Sequence, residues 1–404
     1  MTTKYLRFAL VGLGTFIALG CGGNSNLANV PPTSPACVAS STPEFAYALS
    51  IGTGASSYAV SMYSANSCSG QFTAATPASI TTGYSYPQQG AEEMVVDPLG
   101  RFAYVANLVS NASDLSTISM YTINPTTGVL SPTSPATVPT GWFPQEIAID
   151  PLGRFVYTAN SDDNSISMFT INQTTGVLTP TSPASASTVV PGNILWQPSF
   201  LTVDPTSKFL YLTESLTNGA AVLMFNIDQT TGLLTPTSPA TVPTGGIPWQ
   251  VVVTPSGKFA YVVNNWSGPD FALGVWEFTV NSTTGVLTPS PQVAVAAGNG
   301  PTEIAVDPTS KFAYVVNRQD DTISMYTIDP NSGNLTLNTT RNSTGTVATG
   351  TQPFRITFDP SGKFVYVTNE NGPVSIYTVN GDGTLTSVGM TAGSSLALAF
   401  TNPK

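Results

Sequence analysis

The sequence predicts an all-β protein, a seven-bladed β-propeller of four-stranded antiparallel blades, and three observations carry that reading. An octapeptide recurs six times: DPLGRFAY from Asp97, DPLGRFVY from Asp150, DPTSKFLY from Asp204, TPSGKFAY from Thr254, DPTSKFAY from Asp307 and DPSGKFVY from Asp359, at spacings of 53, 54, 50, 53 and 52 residues. Such a period marks a propeller, solenoid or array, and it is half of the roughly 100 residues that an immunoglobulin-like sandwich needs. Each period also holds four short strand-like runs divided by turn signals, the content of one blade. Finally, the repeat is cut in complementary places: the stretch before Asp97 lacks a first strand, and the closing LALAFTNPK reads as a first strand with nothing after it.

Taken in order, residues 1–20 read as an address. Lys4 and Arg7 precede the apolar run Phe8 to Gly20, which falls short of the ~20 residues of a membrane span and has the layout of a secretory signal. The junction Gly20-Cys21, followed by GGNSNLANVPPTSPA, resembles the lipobox of bacterial lipoproteins, with Ala18 where a lipobox usually carries Leu. That resemblance implies lipidation of Cys21, a flexible linker over residues 21–43, and an extracytoplasmic protein, either a membrane-anchored lipoprotein of the cell envelope or a secreted one. Membrane contact is then expected only through the N-terminal lipid. Cys37 and Cys68 remain, an even count in an oxidising compartment, so a disulfide between them is expected and two free thiols are the alternative. The bridge would close a loop worth ~3 to 4 kcal/mol in the chain-entropy model.

Residues 44–404 form the propeller. In the second full unit, EIAI is strand A and Pro151 and Gly153 turn the chain into strand B, FVYTAN. Strand C, SISMFTIN, alternates apolar and polar residues as a half-buried strand does. QTTG then turns into strand D, where Gly176 supplies the positive φ a hairpin favours. Upstream, Phe45 to Ser50 matches strand B, Tyr58 to Asn66 strand C and GQFTAA strand D. The C-terminal strand is therefore expected to supply the missing strand A and close a ring of six units plus one composite, leaving no exposed edge between ends.

Composition excludes several functions. The 404 residues carry 22 acidic and 12 basic side chains, no histidine and a formal charge of −10. Nucleic acid, bound through Lys and Arg on phosphates, is excluded as a partner. Lack of histidine removes Ser-His-Asp and Cys-His catalysis and histidine-ligated zinc. No phosphate loop, nucleotide fingerprint or Cys/His metal cluster appears, so no metal ligands and no cofactor are assigned.

Alternating strands send the A-to-B and C-to-D turns to one face, and the B-to-C and D-to-A connections to the other. Turn-face charges are nearly balanced, and exposed ion pairs of little worth are expected there. The connection face holds twelve acids, Glu92, Glu93, Asp114, Glu146, Asp162, Asp163, Glu214, Asp270, Glu303, Asp320, Asp321 and Glu370, against Arg318 and Arg355. Trp142, Trp196, Trp249 and Trp266 fall on the same side. Variable loops on one face of a repeat array are where binding resides. Four residues before the Asp column, strand A reads Glu93, Glu146, Phe200, Gln250, Glu303, Arg355 and, in the closing strand, Ala397. These positions ring the mouth of the central channel. The candidate ligand-binding set is Glu93, Glu146, Gln250, Glu303, Arg355, Arg318 and Trp249, with Glu303, Arg355 and Glu146 as candidate catalytic groups. A carboxylate and aromatic pocket suits a small molecule, a carbohydrate, a cationic group or a protein ligand, and a divalent cation such as calcium is the one ion it would take.

The combination of DP-x-G-K/R-F-x-Y, strands ending YVAN, YTAN, YVVN and YVTN, and turns such as INQTTGVL resembles the seven-bladed lactonase and YVTN-repeat propellers, which include 6-phosphogluconolactonase and cycloisomerase-like proteins. The resemblance covers about residues 44 to 404. It implies a lactonase-type hydrolase acting on a carboxylic ester, with histidine and arginine at the site. Without histidine, and with an acidic face that repels a phosphosugar, the leading expectation is a binding or scaffold module working through its acidic, tryptophan-bearing face. The alternative is a divergent lactonase or cycloisomerase opening a neutral sugar lactone, with a glutamate base and an arginine.

Overall fold

The computed structural model describes residues 43–51, 58–82, 91–108, 116–189, 195–216, 219–266, 274–291, 294–370, 372–395 and 397–401. The signal, Cys21, Cys37 and most of the linker lie outside the described residues. Among the described residues every regular element is a strand, and the strands form seven antiparallel sheets. Blade one runs, from the channel outward, Ala91–Val96, Phe102–Asn107, Thr117–Ile123 and Leu130–Pro139. The same order repeats around the ring. In blade five the outer position is shared by Leu335–Leu337 and Thr346–Ala348, both paired with Thr322–Ile328.

The seventh blade closes the ring as expected. Ala397–Phe400 pairs antiparallel with Glu44–Ile51, Ala46 opposite Phe400 and Leu49 opposite Ala397. Thr401 then takes the place of the column aspartate: its N–H donates to the Phe45 carbonyl at 2.9 Å, and its Oγ1 accepts from the Phe45 N–H at 3.0 Å.

Packing explains why the octapeptide recurs. Seven apolar clusters each join two neighbouring blades, and the last unites Phe364, Tyr366 and Ile376 of blade six with Ala48 and Leu398 of the closing blade. The motif tyrosine is buried in every blade. Its hydroxyl donates to the carbonyl of a C-to-D turn glycine in the next blade, seven times at 2.7–2.9 Å, from Tyr47 to Gly128 through Tyr366 to Gly70. Each adds a net ~1 kcal/mol, and the Tyr366 to Gly70 bond, 296 residues apart in the chain, forms only when the ring closes. The motif phenylalanine lies on the same glycine: at Gly176, where φ is +74°, a Cβ would stand 2.3 Å from the Phe102 ring.

The turn-face charges differ from expectation. Asp97, Asp150, Asp204, Asp307 and Asp359 are buried rather than exposed, because each carboxylate caps its own A-to-B turn. Oδ1 of Asp204, for example, accepts the N–H groups of Lys208 and Phe209, both at 2.7 Å. Only Arg101 and Arg154 among the motif bases pair with their aspartates in the described residues, at 2.8 and 2.9 Å. Cys68, in the turn after Tyr58–Ala65, is disulfide-bonded.

Candidate functional site at the channel mouth

The inner strands bring the candidate residues together through an irregularity that strand alternation does not foresee. In blades two to six, strand A pairs a proline with the end of strand B, skips one residue, and resumes pairing at the ring position. Pro144 faces Asn160 and Glu146 faces Ala159, Pro301 faces Asn317 and Glu303 faces Val316, and Pro353 faces Asn369 and Arg355 faces Thr368. The skipped residues are Gln145, Ser199, Trp249, Thr302 and Phe354. A β-bulge of this kind bends the strand and re-aims side chains. Two consecutive residues of each strand therefore line the mouth, where alternation alone would turn one away.

Arg355 sits among three carboxylates. Its guanidinium lies 2.7 Å from Glu93, 3.5 Å from Glu146 and 3.9 Å from Glu303, and it also rests over the Phe354 ring at 5.6 Å. The Gln250 side chain links neighbouring blades: Nε2 donates to Glu303 Oε1 at 3.0 Å while Oε1 accepts from the Ile304 N–H at 2.6 Å. Glu303 Oε2 in turn accepts the Ile356 N–H at 2.6 Å, and Glu93 Oε1 accepts the Met94 N–H at 3.0 Å. These partners leave Glu303 one defined orientation.

Burial sets the protonation. Loss of water raises the Glu303 carboxyl to about 7, the Arg355 charge and the Ile356 N–H offsetting part of the rise. Burial also drives Glu146 well above the usual carboxylate range, with the Glu93 charge adding to the rise and Arg355 opposing it. Glu93 is raised by burial too, against the pull of Arg355. The mouth thus holds a fixed positive charge beside the Glu303 carboxyl, raised to about 7, and two further carboxyls, Glu93 and Glu146, whose proton affinity burial raises.

Two cavities meet there. The outer, about 110 Å³, is lined by Gln145, Glu146, Ser199, Phe200, Trp249, Gln250, Thr302, Glu303, Phe354 and Arg355. The inner, about 160 Å³, shares Glu146, Phe200, Glu303 and Arg355, adds Glu93, and reaches Tyr366 and Leu398. The arginine and its carboxylates form the partition between them.

Six of the seven sequence-assigned ligand residues meet at this mouth. Arg318 does not; it pairs with Glu370 on the rim, both side chains well exposed. Trp249 lines the outer cavity at 43% exposure, whereas Trp142 is exposed away from the lining, and the side chains of Trp196 and Trp266 lie outside the described residues. Part of the acidic face is structural: Asp320 accepts the Asn299 N–H at 2.7 Å and Asp321 the Gln352 N–H at 2.7 Å, tying loops together. Glu214 is buried where the other blades carry Asn160, Asn264, Asn317 and Asn369, with Thr188 donating at 3.4 Å, and burial raises its carboxyl to about 8. Among the described residues no group of three or more His, Cys, Asp or Glu is disposed to hold a metal ion. At the carboxylate ring the guanidinium already stands where a cation would bind. Sequence reasoning missed Gln145, Ser199, Thr302 and Phe354; their varied types in an otherwise uniform strand were the available signal.

Against known proteins, the family described as lactonase, 7-bladed beta-propeller matches residues 54–196 and 201–398. The chain belongs to this lactonase propeller family. Curated relatives include the 6-phosphogluconolactonase of Serratia proteamaculans, 35% identical over 108 residues, and that of Yersinia pestis, 32% identical over 111 residues. Each match takes in 26% of this chain and spans only 33% of the relative's length. Among solved structures, a putative 6-phosphogluconolactonase from Bacteroides fragilis superposes with TM-score 0.69 at 21% identity, covering 89% of this chain and 98% of that one. A periplasmic gluconolactonase from Pseudomonas aeruginosa gives 0.68 at 19% identity, covering 90% and 100%. These likenesses establish the shared fold. The chain has no histidine, and at the channel mouth burial raises the Glu303 carboxyl to about 7, as it does Glu44 elsewhere in the ring and, to about 8, Glu214.

Proposed function

We propose that the protein is a lactonase that hydrolyses a neutral sugar lactone, a cyclic carboxylic ester, at the channel mouth. The observation that carries it is the convergence of Glu303, Glu146 and Arg355 on one cavity in a member of the lactonase propeller family. Family membership moves the reading from the binding or scaffold module expected above to the hydrolase.

In this reading Glu303 is the base, Arg355 the electrostatic stabiliser and Glu146 the acid. Ionised Glu303 takes a proton from water as the water oxygen bonds the lactone carbonyl carbon. The carbonyl electron pair moves to its oxygen, and the nearby Arg355 charge stabilises the oxyanion in a site largely removed from water. Collapse breaks the acyl–oxygen bond of the ring, and neutral Glu146 gives its proton to the departing alkoxide. One water is consumed, one hydroxy acid is released, and exchange with solvent returns Glu303 to carboxylate and Glu146 to acid. Glu93, closest to Arg355, holds the guanidinium in place.

A neutral substrate fits best because, among the described residues, Arg355 is the single cation lining either cavity, and three carboxylates already face it. A phosphate ester would meet net acidity. The N-terminal apolar run and Cys21 support action outside the cytoplasm, on a lipid anchor or in secreted form. The test is a panel of neutral aldonolactones and their phosphate esters. Wild-type protein should open neutral lactones well above the spontaneous rate, and Glu303→Gln and Arg355→Ala should abolish the excess. No excess on any neutral lactone, or a preference for the phosphate esters, would sink the proposal.

A further inference from the structure

Resting on that reading of the site, we infer that the bulged residues form a second, outer tier that selects a hydroxylated sugar ring over a bare lactone ring. The inner tier, Glu146, Gln250, Glu303 and Arg355, is occupied with itself: Gln250 is bonded at both ends and Arg355 is encircled. The outer tier differs. Trp249 keeps 43% of its surface exposed, and Phe354 stands edge-on to it, ring centroids 6.5 Å apart at 86°. Between them Thr302 is buried and donates its hydroxyl to the Phe354 carbonyl at 2.9 Å, fixing the strand that carries the aromatic. Gln145 and Ser199, on blades two and three, add polar groups to the same cavity, the Ser199 hydroxyl already 3.0 Å from Thr213 Oγ1.

An aromatic wall with polar partners in one lining matches the two characters of a pyranose ring, whose C–H groups pack on an aromatic and whose hydroxyls need hydrogen bonds. The bulge makes the tier possible. Without the extra residue, Trp249 and Gln250 would point to opposite sides of the strand. Each blade can thus vary its outer residue while the catalytic layer beneath stays fixed, a separation of selection from chemistry.

The experiment measures two quantities on wild type, Trp249→Ala, Phe354→Leu and Gln145→Ala: calorimetric binding of a non-hydrolysable neutral six-membered aldonolactam, and the ratio of kcat/KM for the matching aldonolactone to that for unsubstituted δ-valerolactone. Trp249→Ala and Phe354→Leu should weaken lactam binding about tenfold, the size of one aromatic contact. The ratio should fall by a similar factor, mainly through KM for the sugar lactone. Gln145→Ala should lower the ratio less. Thermal melting confirms folding, and the mild Phe354→Leu change guards against a misfolded alanine variant. An unchanged ratio and unchanged lactam binding in both aromatic variants would overturn the outer-tier assignment while leaving hydrolysis standing. Lactam binding lost in those variants, with no turnover by wild type, would uphold the tier and overturn the hydrolase reading.

Discussion

Replacing Arg355 with methionine removes the countercharge from three buried carboxyls while keeping most of the side-chain volume. The Arg355 charge lowers the proton affinity of Glu93, Glu146 and Glu303, so all three bind protons more tightly in the variant. A carboxyl held protonated in the folded chain but ionised in the unfolded one costs about 1.4 kcal/mol per pH unit. This contribution is least harmful below the unfolded value near 4.5 and grows as pH rises through the folded value. In wild type the cost from Glu303 levels off above about 7. In Arg355→Met it keeps growing, so between pH 7 and 8.5 the variant should lose about 2 kcal/mol more than wild type through Glu303 alone. At pH 5.5, below its value of about 7, Glu303 is protonated with or without the arginine, so its share of the loss should vanish and leave only the pH-insensitive contact with Phe354, about 1 kcal/mol, and the pair with Glu93. Urea denaturation followed by circular dichroism at pH 5.5 and 8.5 measures the difference. An equal loss at both pH values, or a larger one at pH 5.5, would refute the reasoning.

Three further outcomes are expected. In turnover of a neutral lactone, kcat/KM should rise with pH through an apparent value near 7 as Glu303 ionises, and Glu303→Gln should lose about 10²- to 10⁴-fold; a flat profile from pH 5 to 9 removes Glu303 as the base. Deleting residues after Gly393 discards the Ala397–Phe400 ladder, the Thr401 bonds and the burial of Leu398 and Phe400 against Tyr366. At ~1 kcal/mol per hydrogen bond and ~2 for the leucine, roughly 5 to 8 kcal/mol vanishes, enough to unfold a domain of ordinary stability, and a melting temperature within a few degrees of wild type would contradict the closure. Glu214→Asn restores the residue of the other blades and abolishes the cost of keeping a carboxyl protonated. It should gain about 2 kcal/mol at pH 8, a gain that fades toward pH 5, and denaturation curves showing no such pH dependence would argue against the burial account.

How much was legible follows from what each feature depends on. Turn glycines, motif phenylalanines and motif tyrosines serve contacts that recur at every blade interface, so the same few side chains are demanded seven times and repetition exposes them. The ring set Glu93, Glu146, Gln250, Glu303 and Arg355 was legible for the opposite reason, as variation inside a uniform strand. Periodicity carries no sign of depth, however. Asp97 and its equivalents read as surface charges, yet they are buried caps, because an Asp-Pro turn needs acceptors for its own N–H groups.

The chain alone determined the number of blades, the closure by its last strand and the ring positions Glu93, Glu146, Gln250, Glu303 and Arg355, since these follow from local propensity and from register repeated about every fifty residues. Tertiary structure decided which charges matter. It paired Arg318 with Glu370 on the rim, enclosed Arg355 among three carboxylates, and let burial spread their proton affinities upward from one another. It also decided, through one skipped residue in the inner strands of blades two to six, that Trp249 and Phe354 face the same cavity as the carboxylates. Desolvation and bulge geometry arise only when separate strands are brought side by side, and no property of a single repeat encodes them.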